Sequence, residues 1–275
     1  VEHDIRKYLV HRERKSFGLR FDYNLASTEL YADLNYNDRD DYENRYRQRI
    51  KDLDEGEGSQ EVRRQTKAGL PGNEYGRLED QKLFSYKFGG TSLLDKLKLD
   101  YSFKISEASE LRPNERYLAL RLKKQTAIWN QSTEKPNFTF SNAIAADLNN
   151  SWDFRNLIEE RRDTDEKAQS FKLDADYNFN DNLKLEAGLK ISSRKKERRN
   201  EFYEFEPVDE DAFLAGAFSN IVSQDKSEWL NDGNGTTYNS GSYVSREFLG
   251  NLDLSNTDLF ERVIVEEELA GNFKA

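Results

Sequence analysis

Few residues in this chain are of the kinds that most often perform chemistry. Its 275 residues include two histidines, His3 and His11, and no cysteine. Zinc sites draw mainly on histidine and cysteine, so we predict no metal site and exclude a thiolate nucleophile. The sequence contains no nucleophile elbow, phosphate-binding loop or dinucleotide fingerprint. Carboxylates are numerous, but no pair is singled out for glycoside hydrolysis, and we predict neither an enzyme nor a cofactor.

Aromatic residues in polar, irregular stretches are better candidates for a functional site. Exposed aromatic rings stack on sugars and on flat chelates. Six aromatic residues lie in such stretches: Trp129, Trp152, Trp229, Tyr203, Tyr238 and Tyr243. We predict that they contact a ligand, and packing between loops is the alternative role for each of them.

The composition narrows the class of protein. The chain has a net charge of −10, which disfavours nucleic acid as a partner because phosphate binding needs a basic surface. Its 17 phenylalanines and 14 tyrosines argue against disorder, although 34% of the residues are charged. No apolar run is long enough for a transmembrane helix. The apolar residues must therefore be placed sparsely and regularly.

The strongest pattern is alternation of apolar and polar residues in three successive pairs of runs. Side chains along a strand point to opposite faces in turn, so each run has one apolar and one polar face. The pairs predict hairpins at about 8–50, 75–121 and 168–206, with tight links at Ala26-Ser27, Gly89-Gly90 and Asn180-Asp181-Asn182. A seventh strand is predicted to begin near Val263.

Long polar connections separate the pairs, at about 51–74, 107–167 and 207–262. They contain all four prolines, which cannot donate to a strand ladder. Helical spacing predicts a helix over 210–224 with Asp209 as its cap. Residues 157–168 fit either a second helix or coil.

Two architectures place an apolar strand face out of water: a membrane barrel, where it meets lipid, and a soluble sandwich, where it meets a second sheet. Long strands and the alternation of short and long connections favour the barrel. The sequence therefore predicts an all-β fold, an antiparallel transmembrane up-and-down β-barrel with short periplasmic turns and long extracellular loops containing short helices. We expect ten residues to face lipid: Phe17, Leu19, Phe21, Leu99, Tyr101, Phe103, Phe171, Leu173, Leu185 and Leu189. Tyr23, Tyr31, Tyr177 and Phe179 fit an aromatic girdle near the short turns.

The predicted strand number is odd. Bacterial barrels have an even count, and an open sheet edge in lipid leaves backbone groups unpaired. About seven visible strands therefore indicate a partial barrel. We expect residues 1–275 to form part of one barrel domain that continues in other polypeptide.

Three stretches of the chain resemble barrel strands of TonB-dependent receptors. One runs from Lys172 to Phe179 and on through Leu183–Lys190, Arg194-Lys195-Lys196 and Phe202-Tyr203. An earlier one combines Arg12-Glu13-Arg14 and Leu19–Tyr23 with Tyr36-Asn37-Asp38, Asp41, Glu43 and Arg45, and a later one is Val265–Gly271. Their order along the chain is more specific than any one of them.

The resemblance implies a 22-stranded barrel in the outer membrane of a Gram-negative bacterium, closed by an N-terminal plug domain. It implies uptake of a siderophore, glycan or similar ligand, energised by the TonB complex through the plug. The expected partners are outer-membrane lipid, the rest of the barrel with its plug, the TonB complex and the ligand. The chain itself contains no plug and no TonB-contacting segment, so this function rests on the resemblance.

Two alternatives stay open. One is a soluble or surface-anchored β-rich binding module, which would bury the apolar strand faces in its own core. The other is a passive outer-membrane barrel without TonB coupling.

Overall fold

The computed structural model describes residues 2–51, 60–70, 76–125, 127–129, 138–140, 147–223, 241–263 and 273–274. Antiparallel strands dominate this part of the chain. The main sheet contains β1 (His3–Leu25), β2 (Thr28–Lys51), β3 (Gln60–Ala68), β4 (Arg77–Leu94), β5 (Leu97–Gln125), β8 (Asp153–Asn180), β9 (Leu183–Pro207), β12 (Phe260–Val263) and β13 (Phe273–Lys274). Two small hairpins pair β6 (Ala127–Trp129) with β7 (Phe138–Phe140) and β10 (Ile221–Ser223) with β11 (Ser242–Val244).

β3 and β4 act as one interrupted strand. Both lie antiparallel between β2 and β5, so the sheet has six columns in the order β1, β2, β3/β4, β5, β8 and β9. At the interruption, a Cβ on Gly69 would lie 2.8 Å from the carbonyl oxygen of Gly76. Gly76 also has a φ of 125°. Both positions therefore require glycine, and the chain leaves the column and re-enters it at nearly the same point.

Three tight turns lie at the same end of the sheet, which we call the turn end; the opposite end is the far end. The turns at Ala26-Ser27 and Asp181-Asn182 confirm the sequence prediction. The prediction at Gly89-Gly90 is wrong, because the chain turns at Asp95-Lys96 instead. Gly89 lies inside β4, where a Cβ would meet the Tyr31 hydroxyl at 2.5 Å. These glycines make room for aromatic rings on neighbouring strands.

The strands are longer than the alternation suggested. Residues 107–121, which the sequence prediction placed both in the second hairpin and in a long connection, are paired strand within β5. Residues 122–125 of β5 and 153–167 of β8 are also strand, and residues 157–168 are neither helix nor coil. The alternation is lost beyond Ile105 because both faces of these segments carry polar residues. Pro113 lies within β5, at a bulge between Arg112 and Glu115, where proline is tolerated in a sheet.

The sheet curls until its end strands approach each other. A depression of about 460 Å³ is lined by Arg14 and Ser16 of β1 and also by Lys196 of β9, the opposite end of the six columns. These side chains therefore lie on the concave side, which we call the inner face. The sequence prediction of an up-and-down, antiparallel, barrel-like β-sheet is confirmed.

Segments that follow β9 pack on the outer face at the far end. Helix α1 (Glu210–Ser219) is capped by Asp209, whose carboxylate accepts a hydrogen bond from the amide of Ala212, as predicted, although the helix ends before Gln224. Helix α2 (Arg246–Asn251) begins after Ser245. Neither helix is long and apolar enough to span a bilayer. β12 and β13 pair with β9. The seventh strand was predicted to begin near Val263, but β12 ends there, and residues 264–272 lie outside the described part of the chain.

The main hydrophobic core lies between these segments and the outer face. It consists of Ile50, Val62, Ala68, Leu118, Leu120, Leu122, Leu148, Trp152, Phe154, Leu157, Phe205, Ala217, Val244, Leu249, Leu254 and Phe260. The far end thus carries its own covering layer.

Candidate functional site

The outer face at the turn end forms a band without charge. Its cross-strand register places Phe21, Ala32, Phe88, Phe103, Phe171 and Ile191 in one row across all six columns. The next row contains Tyr23, Leu30, Gly90, Tyr101, Leu173 and Leu189. Outward-facing charges begin only beyond these rows, at Lys15, Asp38, Lys82, Glu107, Lys167 and Lys195.

The uncharged band is both exposed and tall. Phe21 is 68% exposed and Leu189 is 54% exposed. From Phe84 to Leu94 the band extends about 33 Å along β4 at ~3.3 Å per residue, or about 25 Å after a strand tilt of ~40°. That height matches the apolar band of about 25 Å on membrane barrels.

All ten residues predicted to face lipid lie on this outer band. Each is exposed or half-buried, and no described segment packs over the rows that contain them. Their contact with lipid stays a prediction. Of the predicted girdle, Tyr23 and Tyr177 lie on the same face near the turns. Tyr31 does not, because it lies opposite Asp22 on the inner face, with Lys87 Nζ 4.9 Å from its ring centroid.

The far end of the outer face is organised around a buried arginine. Arg64 of β3 donates to the carbonyl oxygen of Ser242 at 2.7 Å and lies 5.2 Å from the Trp152 ring and 5.6 Å from the Tyr243 ring. Asp147 lies 3.6 Å from its guanidinium. Burial lowers the pKa of Arg64, and the nearby Asp147 carboxylate opposes that shift. The aromatic rings and the carboxylate anchor the covering segments to the sheet.

A second arginine fixes helix α2 to the sheet. Arg116 of β5 donates to the carbonyl oxygens of Leu249, Gly250 and Leu252 at 3.3, 3.0 and 2.8 Å. These carbonyls belong to the end of a helix, where no intrahelical donor remains. The Nε of Arg116 also donates to a carboxylate oxygen of Glu159 at 2.7 Å. The arginine therefore satisfies acceptors that burial would otherwise leave unpaired.

The predicted ligand-binding aromatics fall into different environments. Trp152 is 1% exposed and Tyr243 is fully buried, so in this arrangement both pack within the covering layer. Tyr203 is half-buried on the outer face, with the Arg262 guanidinium 3.9 Å from its ring centroid. Trp129 lies in β6, and its side chain is outside the described part, as are Trp229 and Tyr238 entirely. The structure brings Trp152 and Tyr243 together, and a ligand role for any of the six stays a prediction.

Three carboxylates approach one another beyond the uncharged band. Asp38, Asp40 and Asp80 have oxygens within 4.8 Å of each other on the outer face. Lys82 donates to Asp80 at 2.6 Å and thereby supplies a positive charge to the group. Exposed acidic groups of this kind are common without a metal, so we assign no ion to them.

The inner face carries a buried ion-pair network where β3 and β4 are interrupted. Glu115 of β5 is 2% exposed and accepts from Lys67 Nζ at 2.8 Å; Arg77 Nε lies 3.5 Å away. Glu43 of β2 pairs with the same two cations, at 2.8 Å from Lys67 and 3.5 Å from Arg77. Lys67, near the end of β3, and Arg77, at the start of β4, thus both pair with the two carboxylates. The network holds the two halves of the interrupted column in register.

The protonation states in this network are fixed near neutral pH. Burial alone would raise the pKa of Glu115, but the charges of Lys67 and Arg77 and the hydrogen bonds from Lys67 and Tyr117 lower it to about 2. Burial and the Glu115 carboxylate raise the pKa of Tyr117. Glu115 is therefore an ionised acceptor and Tyr117 a protonated donor. Neither is poised for proton transfer at neutral pH.

Nearer the far end, arginines crowd the inner face. Arg47, Arg49, Arg63 and Arg155 line a depression of about 70 Å³ together with Gln65, Ala119 and Asn156. Sequence reasoning missed this cluster, although Arg45, Arg47 and Arg49 repeat with the period of a strand and therefore share one face. The contributions of Arg63 and Arg155 depend on register, which the period does not give.

No protein-family model matches the chain, and no curated protein or solved structure shows significant similarity to it.

Proposed function

We propose that this chain forms part of an outer-membrane β-barrel that takes up a nutrient ligand, with lipid around its turn end and the ligand path along its inner face. The uncharged outer band is the observation that carries the proposal. A Lys or Arg facing lipid at the midplane of a barrel costs roughly 2–4 kcal/mol, so a membrane barrel excludes charge from this surface. The band excludes charge in all six columns at once.

The two ends of the molecule provide an internal argument against the soluble binding module. At the far end, the apolar residues of the outer face are covered by α1, α2 and the segment around Trp152. At the turn end, no described segment covers Phe17, Phe21 or Phe171. Contiguous exposed apolar patches of this size mark a surface that meets another apolar phase. A bilayer is the phase whose thickness fits the band.

The inner face supports a ligand path rather than a packed core. Its residues carry charges of both signs along every column, as in the aqueous interior of large barrels. Uptake of a siderophore, glycan or similar ligand with TonB-coupled energy, in a Gram-negative outer membrane, is the specific form that the strand resemblance favours. A passive barrel is the second candidate, because it shares the outer band and needs no plug.

The lack of cysteine offers a direct test of the outer band. Single cysteines placed from position 171 to 177 of β8 would carry a nitroxide label in phosphatidylcholine vesicles. We expect odd positions, such as Leu173→Cys, to be accessible to oxygen, and even positions, such as Lys172→Cys, to a water-soluble nickel chelate. Equal accessibility of both sets to the nickel chelate would rule out the membrane barrel.

A growth test separates energised from passive uptake. A wild-type strain, a strain that lacks this gene and a strain that lacks TonB are each grown on candidate iron and glycan sources. If uptake is energised, both deletion strains fail to grow on the source that the receptor takes up. Growth that depends on this gene but not on TonB would favour the passive barrel.

A further inference from the structure

Two adjacent cross-strand rows at the far end of the inner face are rich in arginine. In the first row, Arg49 of β2 lies directly opposite Arg63 of β3, which lies opposite Arg121 of β5. The second row begins with Arg6 and Arg47 and continues through Gln65, Ala119 and Asn156. Like charges directly opposite each other destabilise a sheet. Three consecutive arginines across three strands are therefore an unfavourable arrangement for the empty protein.

The carboxylates nearby compensate only part of this charge. Asp4 pairs with Arg6, Arg47 and Arg49, at distances of 2.5–3.2 Å. Glu61 pairs with Arg63, and Glu2 pairs with Arg49 at 2.7 Å. Arg121 lies opposite Asp153 of β8, and the charges of Arg121 and Arg155 help to lower the pKa of the Glu61 carboxyl. Among the described residues, neither arginine forms an ion pair.

The rows leave space for an anion between the guanidinium groups. Arg155 is the extra residue of a bulge in β8, next to the position where Ala119 faces Asn156. Because Ala119 has a short side chain, a depression of about 70 Å³ opens above it, lined by Arg47, Arg49, Arg63 and Arg155. One water molecule needs about 10–15 Å³ of such space, so the depression has room for a carboxylate or phosphate group.

The chemistry of the lining selects an oxyanion. A guanidinium presents a planar fork of donors that matches carboxylate and phosphate oxygens in pairs. Gln65 accepts from Arg45 through Oε1 at 2.7 Å, and its NH₂ group can donate to an anion. The chain as a whole has a net charge of −10, so this basic lining is a local departure from the composition.

We propose that Arg47, Arg49, Arg63 and Arg155 form a binding site for a soluble solute that carries a carboxylate or phosphate group. The proposal deepens the proposed function, on which it rests for the access of water to the inner face. It assigns an anionic class to the ligand and places its charged group at the far end of the path.

Calorimetric titration of the full chain in dodecyl maltoside micelles tests the site. The probes are pyrophosphate and citrate, each compared with potassium chloride at equal ionic strength. We expect saturable binding of at least one probe, weakened about tenfold or more by Arg63→Gln and by Arg49→Gln because each loses a charge-assisted pair of hydrogen bonds. Arg20→Gln, on the inner face at the turn end, is the matched control and should bind as the wild type does.

Thermal unfolding without ligand guards against misfolded variants. Removing one of three adjacent arginines should leave the midpoint unchanged or raise it, while the rise produced by the anion is lost. If neither probe binds beyond the chloride control, or if both variants bind as tightly as the wild type, the site does not exist.

Two further arms separate this proposal from its alternatives. Micelles doped with phosphatidylglycerol should not compete with pyrophosphate; competition would assign the arginines to a lipid headgroup and overturn the proposal. If the chain binds the anion but its odd and even β8 positions are equally accessible to the nickel chelate, the membrane barrel is rejected and the oxyanion site is retained. A chain that passes the nitroxide test and binds no anion would remove the oxyanion site alone.

Discussion

The two ends of the outer face differ in what lies over their apolar side chains. At the far end, Leu157 and Phe205 are buried under helices and loops of the same chain. At the turn end, Leu173 and Leu189 occupy the same face of the same strands with nothing described above them. The change from covered to uncovered side chains falls between Leu157 and Leu173 along β8, and between Phe205 and Leu189 along β9. The chain therefore covers the far half of the outer face with its own segments, and no described segment covers the half at the turn end.

The largest expected effect comes from comparing two leucines on the outer face of β8. Leu157→Ala should lower the free energy of unfolding by about 2–5 kcal/mol, because a cavity remains in a packed core. Leu173→Ala should cost at most about 2 kcal/mol in vesicles, since lipid chains fill the space and only the transfer free energy is lost. Urea unfolding in vesicles measures both, and a larger loss at Leu173 would break the comparison.

An introduced charge sharpens the comparison at the turn end. Leu173→Arg on the outer face should reduce the stability of the inserted protein by roughly 2–4 kcal/mol. Thr91→Arg is the control at similar height on the inner face, opposite Asp100, and should be tolerated. The fraction of protein that floats with vesicles after dilution from urea reports the difference. Equal flotation of both variants would contradict the assignment of the faces.

Acid should destabilise the fold at the junction of β3 and β4, where Glu115 forms its buried ion pairs. Glu115 has a folded pKa of about 2, below its ordinary value of 4.5, so its contribution is complete above pH 4.5 and is lost as the pH falls towards 2. The shift corresponds to about 3 kcal/mol. Urea unfolding at a series of pH values should show this slope in the wild type, and Glu115→Gln should flatten it. An unchanged slope in the variant would mean that other carboxyls are responsible.

The smallest effect concerns the covering layer. Asp209→Ala removes the side-chain acceptor at the start of α1 and should cost about 1 kcal/mol. Asp211→Ala, in the first turn of the same helix, removes an equal charge without a capping hydrogen bond and should cost about 0.3 kcal/mol. Faster hydrogen exchange at the Ala212 amide in the first variant alone is the expected readout.

The parts of the fold that could be predicted are those where one strand face is apolar and the other is polar. From Phe171 to Phe179 the alternation is unbroken, and the strand and its turn were predicted correctly. Beyond Ile105 the outer face also becomes polar, so period two no longer separates the faces. The bulge at Arg155 then interrupts the alternation between Phe154 and Leu157, whose burial depends on segments distant in sequence.

The inner-face clusters were less predictable for a related reason. Each one combines residues from three or four strands, and their meeting depends on register. The bulge at Pro113 shifts β5 by one residue, and only that shift places Glu115 and Arg121 on the inner face. Buried aromatics such as Trp152 were predicted to bind ligand because a polar neighbourhood in sequence does not reveal the core that surrounds them.

The paired glycines at the interrupted column have a consequence for how this protein tolerates change. Since the chain departs at Gly69 and returns at Gly76 beside it, the number of residues between them is uncoupled from the pairing of every strand on either side. Relatives with shorter or longer inserts at this point can share one and the same ladder. The junction at Gly69 and Gly76 thus permits insertions and deletions without a change in the strand pairing of the sheet.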